Sequence, residues 1–396
     1  MLIQKHLRCC SKMKFKNKTI FIISHEKWGK MMMSKHHYAV GLGELGNDVF
    51  FINLPDNRRE LKRGQIVISA TEYKNVSAVS HRLYHPYFFR DQYNRLYNLL
   101  TSFHLRRIIR KVGVYPDVVW SFDAENALPL KCFPKSDLRI YHPVDGPFGH
   151  DHEVRAADGA DVILSVTSEI LKTYEGLGKP MHRVNHGVAD VFFSEGALPK
   201  QNKSIRIGYS GCLVRNDLDI PIFLKIINDH PDKTFEFWGE NDFTKSSIHL
   251  PQDVILATQS FVETLHGLPN VIMHGSVNSV ELAAGLREMD ALLICYNTAN
   301  DQNHHKVLEY LATGKVIMSN HLSSYSNAEP GLIEMMDSKT SNEDMPRLFT
   351  EITSNLKKWN STELQQLRIK YARQNSYSSN IREIEAWIEE SLDADS

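Results

Sequence analysis

The feature that most constrains this chain is an alternation that runs its length and then starts again. Short apolar runs rich in β-branched and aromatic residues take turns with stretches of helical periodicity. TIFIIS (19–24) reads as a first strand, MMMSKHHYAVGLGEL (31–45) as a helix and DVFFINLP (48–55) as a second strand closed by proline. The order continues with a helix over 92–112, strands over 116–122, 138–144 and 161–167, and a helix over 168–178 that Ser168 is placed to cap. SEGALPKQNK (194–203) is a polar linker, after which SIRIGYSG (204–211) begins a second set: strands over 234–239, 270–275, 290–296 and 315–320, and helices over 220–231, 281–289 and 304–314. A last amphipathic helix covers 380–392. Strands alternating with helices imply parallel sheets wrapped on both faces. A length of 396 residues suits two such domains better than one core.

GLGELG (41–46) is a literal G-x-G-x-x-G. A dinucleotide-binding turn needs the glycines after a strand and at the start of a helix. Here they end a helix and lead into a strand, so the match is a decoy. Gly46 and Asn47 serve the helix-to-strand turn, and the dehydrogenase reading falls with the motif.

Composition narrows the class. With 42% hydrophobic and 23% charged residues the chain is globular, and a net charge of −1 argues against general nucleic-acid binding. Cys9, Cys10, Cys132, Cys212 and Cys295 form no C-x-x-C pair, which fits a reducing cytoplasm and no zinc knuckle. The first eighteen residues carry Lys5, Arg8, Lys12, Lys14, Lys16 and Lys18 with no acidic residue. They suit a basic tail on anionic headgroups, or a disordered extension with Met13 as the true start. FHLRRIIRK (103–111) sets Arg106, Arg107, Arg110 and Lys111 among Leu105, Ile108 and Ile109. That pattern fits peripheral attachment to an anionic membrane surface and equally a solvated helix packed on its sheet.

NVIMHGSVNSVELAAGLREMDALLICYN (270–297), followed by NHHKVLEYLATGKVIMSN (303–320), resembles glycosyltransferases of the GT-B fold, family 4 in particular. KWGKMMMSKHHYAVGLGELGNDVFFINLP (27–55) is similar to that family's first strand–helix–strand unit. The resemblance covers 19 to about 390. It implies an α/β chain of two Rossmann-like doubly wound domains facing a cleft, and a metal-independent enzyme with no cofactor beyond its nucleotide-sugar co-substrate. The implied parts are a basic extension over 1–18, an acceptor domain over 19–198, a donor domain over 199–375 and a C-terminal helix over 376–396 that returns to the first domain. The implied activity is hexosyl transfer, by retention, from a UDP-linked sugar to a glycan or lipid-linked acceptor in bacterial surface polysaccharide synthesis. A GT-B epimerase or hydrolase, and a silent nucleotide-sugar binder, are the competing functions.

The donor candidates follow from charge and backbone geometry. Asn303 is placed to cap the helix that begins near His304, so that its free N–H groups and positive dipole end meet an anion. Lys306 lies in the first turn, where a cation is unfavourable without an anionic partner, and a diphosphate would be that partner. Glu309 shares a side of the helix with Lys306, and the resemblance gives it the ribose hydroxyls. Asp301 takes the place of the family's upstream glutamate, one methylene shorter. Gly211 lets backbone approach a ligand, Arg215 can grip the leaving phosphate, and family precedent sets the nucleobase near Gly275 and Ser276. On the acceptor side Gly29, Lys30 and His142 are candidates, and Asp145 in YHPVDGPFGHDHE (141–153) is the candidate acid/base. Trp28 is either core or a sugar-stacking face. The His-Asp-His run 150–152 lacks a third ligand at metal spacing.

Overall fold

The structure is a computed structural model that describes residues 14–29, 32–56, 59–134, 136–144, 151–193, 204–241, 251–297 and 305–394. The chain divides into two compact units, one running to Asn185 and resuming at Tyr377, the other spanning His186–Ser376.

The first unit holds β1 (Thr19–Ile23), α1 (Ser34–Glu44), β2 (Asp48–Ile52), β3 (Ile66–Ala70), β4 (Val76–His81), α2 (Phe89–Gln92), α3 (Asn94–Val112), β5 (Val118–Ser121), β6 (Leu138–Tyr141), α4 (Asp151–Ala156), β7 (Val162–Ser165), α5 (Ser168–Lys172) and β8 (Met181–Arg183). Its sheet has the order β3-β4-β2-β1-β5-β6-β7-β8, parallel except where β3 pairs antiparallel with β4. Ile20, Phe21, Ile22 and Ile23 are all buried, as a strand covered on both faces requires.

The second unit holds β9 (Arg206–Ser210), α6 (Ile220–Asp229), β10 (Thr234–Trp238), α7 (Gln252–Gly267), β11 (Val271–Gly275), α8 (Ser279–Arg287), β12 (Ala291–Ile294), α9 (Lys306–Ala312), β13 (Val316–Ser319), β14 (Glu334–Met335), α10 (Met345–Ser354), α11 (Leu356–Trp359) and α12 (Thr362–Gln374). Its strands run in the order β11-β10-β9-β12-β13-β14, all parallel. The two-unit parallel α/β class expected from the alternation is the class observed. The last helix, α13 (Tyr377–Ala394), belongs to the first unit, where Asn380 donates to the Asn185 carbonyl at 2.8 Å. Among the described residues no helix is long and apolar enough to cross a membrane.

Local differences from the sequence reading have physical causes. The cap of α5 is Thr167, whose hydroxyl accepts from the Ile170 N–H at 3.3 Å, so Ser168 is its first helical residue. The hairpin β3–β4, α7 and α10–α12 had no assignment from periodicity. In FHLRRIIRK, Leu105, Ile108 and Ile109 are buried against the sheet, so they belong to the core.

The structure shows what the glycines of GLGELG do. Gly46 adopts φ 87° just past the end of α1 and delivers the chain to β2. A Cβ at Gly41 would lie 2.9 Å from Ile381 Cδ1 of α13, and one at Gly43 would lie 3.0 Å from the Lys74 carbonyl. The glycines therefore let α1 pack closely on α13 and on the turn before β4. Gly43→Ala brings a helix-propensity gain of at most about 1 kcal/mol, against an overpacking cost of about 1–3 kcal/mol. The obstacle is backbone and cannot rotate away, so a lower thermal midpoint is expected; an unchanged or raised midpoint would refute close packing as the reason for glycine.

Candidate functional site

In an open parallel sheet, ligands bind beyond the carboxyl ends of strands where the strand order reverses. In the second unit that point lies between β9 and β12. Their pairing stops at Gly208 and Leu292, although both strands run on. The chain beyond β9, the chain beyond β12 and the helix α9 all meet there.

Gly211 follows β9 with φ 140° and donates its N–H to the Trp238 carbonyl at 2.8 Å. A Cβ there would fall 2.3 Å from Lys306 Nζ, so any side chain at this position would displace the ammonium. Lys306 is 4% exposed. Its ammonium lies 4.6 Å from the centroid of the Tyr209 ring and 5.1 Å from that of Tyr296, a box of two aromatic faces. It makes no direct ion pair with Glu309. Burial, and then the nearby Arg215 guanidinium, push the Lys306 pKa down to about 7. Burial pushes the Glu309 carboxyl up to about 7, with Lys306 opposing. Lysine and glutamate thus share one low-dielectric environment and are not a solvated surface pair.

Arg215 is clasped by both oxygens of Asp217, and its guanidinium lies 4.8 Å from the Tyr296 ring centroid. Burial opposes its charge, but Asp217 and the two tyrosines hold it protonated. The loop that carries it is tied to the chain after β12: Asn297 donates to the Asp217 carbonyl at 2.8 Å, and Asn342 bridges Asp219 and the Tyr296 carbonyl. Tyr310 fixes α9 in turn, its phenol oxygen accepting the Ser210 N–H at 2.6 Å.

Gly275 ends β11 with φ 69°, and its carbonyl accepts the Gly239 N–H at 2.9 Å. Ser276 donates to Glu240 at 3.3 Å, and Glu240 accepts the Leu213 N–H through its own carbonyl. Gly211, Arg215, Lys306 and Glu309 are therefore one cluster, and Gly275 and Ser276 join the same sheet edge through β10. Asp301 and Asn303 lie outside the described residues, as do Lys30 and Asp145.

The first unit has its own reversal, between β1 and β5. Gly29 is exposed there with open space around it. Trp28 is half-buried, edge-on to Phe51 at 5.0 Å. His142 is 1% exposed, enclosed by the rings of Tyr38, Trp120 and Phe122, and accepts from the Trp120 indole at 3.4 Å.

A polar group that the sequence reading passed over sits at this edge. His25 directs Nδ1 at the Phe122 carbonyl, 3.1 Å away, so that nitrogen carries the proton. Its Nε2 lies 2.9 Å from Glu26 and 3.3 Å from Lys35, which is 1% exposed and ion-paired with Glu26. Burial resists the charge on Glu26, but His25 and Lys35 bring its pKa down to about 2. Burial likewise resists charge on His25, and Glu26 outweighs it to raise that pKa. Asp123, two residues beyond β5, is 2% exposed; its Oδ2 accepts the Leu128 N–H at 3.0 Å, while its buried Oδ1 has no hydrogen-bond partner. Burial raises its pKa. A buried carboxyl with a spare oxygen near a histidine is a competent proton acceptor or donor. Its sequence signal was an aspartate just past a strand end, in WSFDAEN (120–126). Among the described residues no group of three or more His, Cys, Asp or Glu side chains could hold a metal ion.

No protein-family model and no curated sequence matches the chain. Its fold, in contrast, matches solved structures over nearly its whole length. Sucrose-phosphate synthase from Thermosynechococcus elongatus aligns with a TM-score of 0.65 at 10% identity, covering 96% of this chain and 100% of that one. Anabaena HepE, solved in complex with UDP and glucose, aligns at 0.63 and 12% identity over 95% and 99% of the two chains. WaaG, a glycosyltransferase involved in lipopolysaccharide biosynthesis, aligns at 0.57 and 10% identity over 92% and 98%. At these identities the likeness establishes the fold, a two-unit parallel α/β architecture of the GT-B kind.

The buried Lys306 has a measurable signature. A base whose folded pKa is depressed to about 7, from 10.5, binds fewer protons folded than unfolded between those pH values. It therefore weakens the fold most at and below pH 7, and the cost fades as pH rises toward 10. Lys306→Met is expected to be as stable as the parent or more so at pH 7, with any gain shrinking in denaturation midpoints taken up to pH 10. A gain that grows with pH would refute the buried-cation assignment.

Proposed function

We propose that the chain is a metal-independent glycosyltransferase that moves a sugar from a UDP-linked donor to a glycan or lipid-linked acceptor. The observation that carries this reading is the desolvated Lys306 ammonium held against Gly211 at the reversal point of the second sheet. A cation so placed is buried and has no direct carboxylate partner among the described residues, which leaves it poised for an anion such as a diphosphate. Arg215, whose charge Asp217 balances, adds the guanidinium N–H donors that Asp217 leaves free, and Glu309 a carboxylate suited to ribose hydroxyls. The UDP and glucose in the HepE structure, and the lipopolysaccharide role named for WaaG, support a UDP-linked donor and a surface-polysaccharide setting as the reading. Retention of configuration, a hexosyl donor and a place on the cytoplasmic side of the membrane complete the proposal.

The chemistry would divide between the units. Lys306 would neutralise the negative charge that grows on the leaving diphosphate and Arg215 would donate hydrogen bonds to it, with the base near Gly275 and Ser276. Asp301 and Asn303 are further candidates, although the N-cap of α9 is His305. In the first unit, Gly29 and Lys30 would bind the acceptor, whereas His142, buried among the rings of Tyr38, Trp120 and Phe122, is a core side chain and not the acceptor contact expected of it. Asp145 or the buried Asp123 would take the acceptor hydroxyl proton, the raised pKa of Asp123 suiting that exchange.

The test is thermal stabilisation by UDP, GDP, ADP, CMP and NAD in EDTA. Ligand at about 100 times its dissociation constant adds about 2.7 kcal/mol to the stability of the unit that binds it. UDP should raise the midpoint, Lys306→Met should abolish the rise, and Glu309→Gln should weaken UDP about 10- to 100-fold. UDP affinity should fall as pH climbs above 7, because the diphosphate favours the charged lysine and its binding takes up a proton. A response to NAD alone would overturn the reading, and donor breakdown unaffected by any acceptor would make the protein a hydrolase.

Asp123→Asn should lower turnover about 10²- to 10⁴-fold while leaving the UDP response intact. If turnover survives that change and is lost in Asp145→Asn, the acid/base role belongs to Asp145.

A further inference from the structure

More than half of the exposed large apolar side chains among the described residues fall between Tyr84 and Tyr115. The helix α3 has two faces, and both carry apolar residues. One face, with Tyr97, Leu105, Ile108 and Ile109, is buried on the sheet. The opposite face presents Leu96, Leu99 and Phe103, exposed by 44%, 56% and 55%, and continues with Arg106 and Arg110 at the same helical spacing.

Among the described residues Arg106, Arg110 and Lys111 pair with no carboxylate, and α3 itself contains no acidic residue. Beside them Arg107 stacks over the Tyr84 ring at 4.7 Å and donates to the Gly64 carbonyl at 3.0 Å. The adjoining cavity, about 360 Å³, is lined by Gly64, Gln65, Ile66, Arg107, Arg110 and Lys111. Cations in the last turn of a helix complement its dipole, which accounts for Arg110 and Lys111. It does not account for a row of exposed leucine and phenylalanine on the same face.

We propose that this outer face of α3 docks the protein on an anionic phospholipid surface. Leu96, Leu99 and Phe103 enter the headgroup layer, Arg106 and Arg110 pair with lipid phosphates, and the neighbouring cavity receives a headgroup phosphate. Charge complementarity selects this occupant. A second copy of the chain would bring two sets of unpaired arginines together with no carboxylate on α3 to neutralise them. The proposal stands apart from the donor site, because α3 belongs to the first unit and shares no residue with the Lys306 cluster.

The test is flotation of the full chain with vesicles of phosphatidylcholine alone or mixed with phosphatidylglycerol, over a range of salt. The protein should float with the mixed vesicles only. Arg106→Glu with Arg110→Glu should cut the bound fraction at least about tenfold. Leu99→Ser with Phe103→Ser should leave weaker binding that salt removes completely. A charge-matched control on the other unit, Lys357→Glu with Lys358→Glu, should bind as the parent does. All six sites are on the surface, so unchanged thermal midpoints and an unchanged UDP response on the same samples certify the fold and keep this outcome separate from that of the transferase proposal. Failure to float with anionic vesicles, or equal loss in the control, overturns the proposal. So does a parent that is dimeric in gel filtration and becomes monomeric with Phe103→Ser without any vesicle binding.

Discussion

Parallel pairing is the constraint on which this molecule depends. Two parallel strands cannot be joined by a tight turn, so each connection must cross over the sheet, most often as a helix. Crossovers bury both faces of the strands, which is why β1, β5, β12 and β13 are almost wholly apolar. They also bring every strand to its end on the same edge. Where successive crossovers leave in opposite directions, between β1 and β5 and between β9 and β12, the edge opens and polar side chains can collect. The Lys306 and Asp123 clusters lie at these two openings.

The clusters use the openings differently. Beyond β9 the charges are arranged around aromatic rings: Lys306 faces Tyr209 and Tyr296, and Arg215 lies against Tyr296 with Asp217 closing around it. Asp217 cancels the charge of Arg215, while Lys306 is held by aromatic faces with no direct ion pair among the described residues. Beyond β1 the charges cancel pairwise through His25, Glu26 and Lys35, and the group left over is the uncompensated carboxyl of Asp123. In the proposed reaction one edge would receive negative charge and the other would exchange a proton. That division is what a reaction with an anionic leaving group and a hydroxyl nucleophile requires.

Much of this was legible in the chain as written. The strands at 19–23, 48–52, 206–210, 234–238 and 291–294 fall inside runs marked by apolar character alone, and the order of helix, glycines and strand ruled out the dinucleotide fingerprint in GLGELG. Lys306, Gly211 and Arg215 were recognisable because each follows a strand or opens a helix. The pair β3–β4 was missed, and β3 is the half-exposed outer strand of its sheet. His25, Lys35 and Asp123 were missed because 98 residues separate the first from the last, and nothing local announces that pairing of β1 with β5 will bring them to one edge.

The sequence by itself determined the periods, and through them the two parallel α/β units, the turn at Gly46 and the strand ends where chemistry collects. Only the tertiary structure decided which groups leave water. Lys306 reads as a first-turn cation in need of an anion, but its burial appears only when Tyr209 of β9 and Tyr296 beyond β12 enclose it, and α3 shows two apolar faces until the sheet takes one and leaves the other outside. The reason is physical. Periodicity is a property of neighbours along the chain, whereas desolvation depends on what long-range pairing stacks above and below a side chain, and charge, pKa and reactivity follow from desolvation.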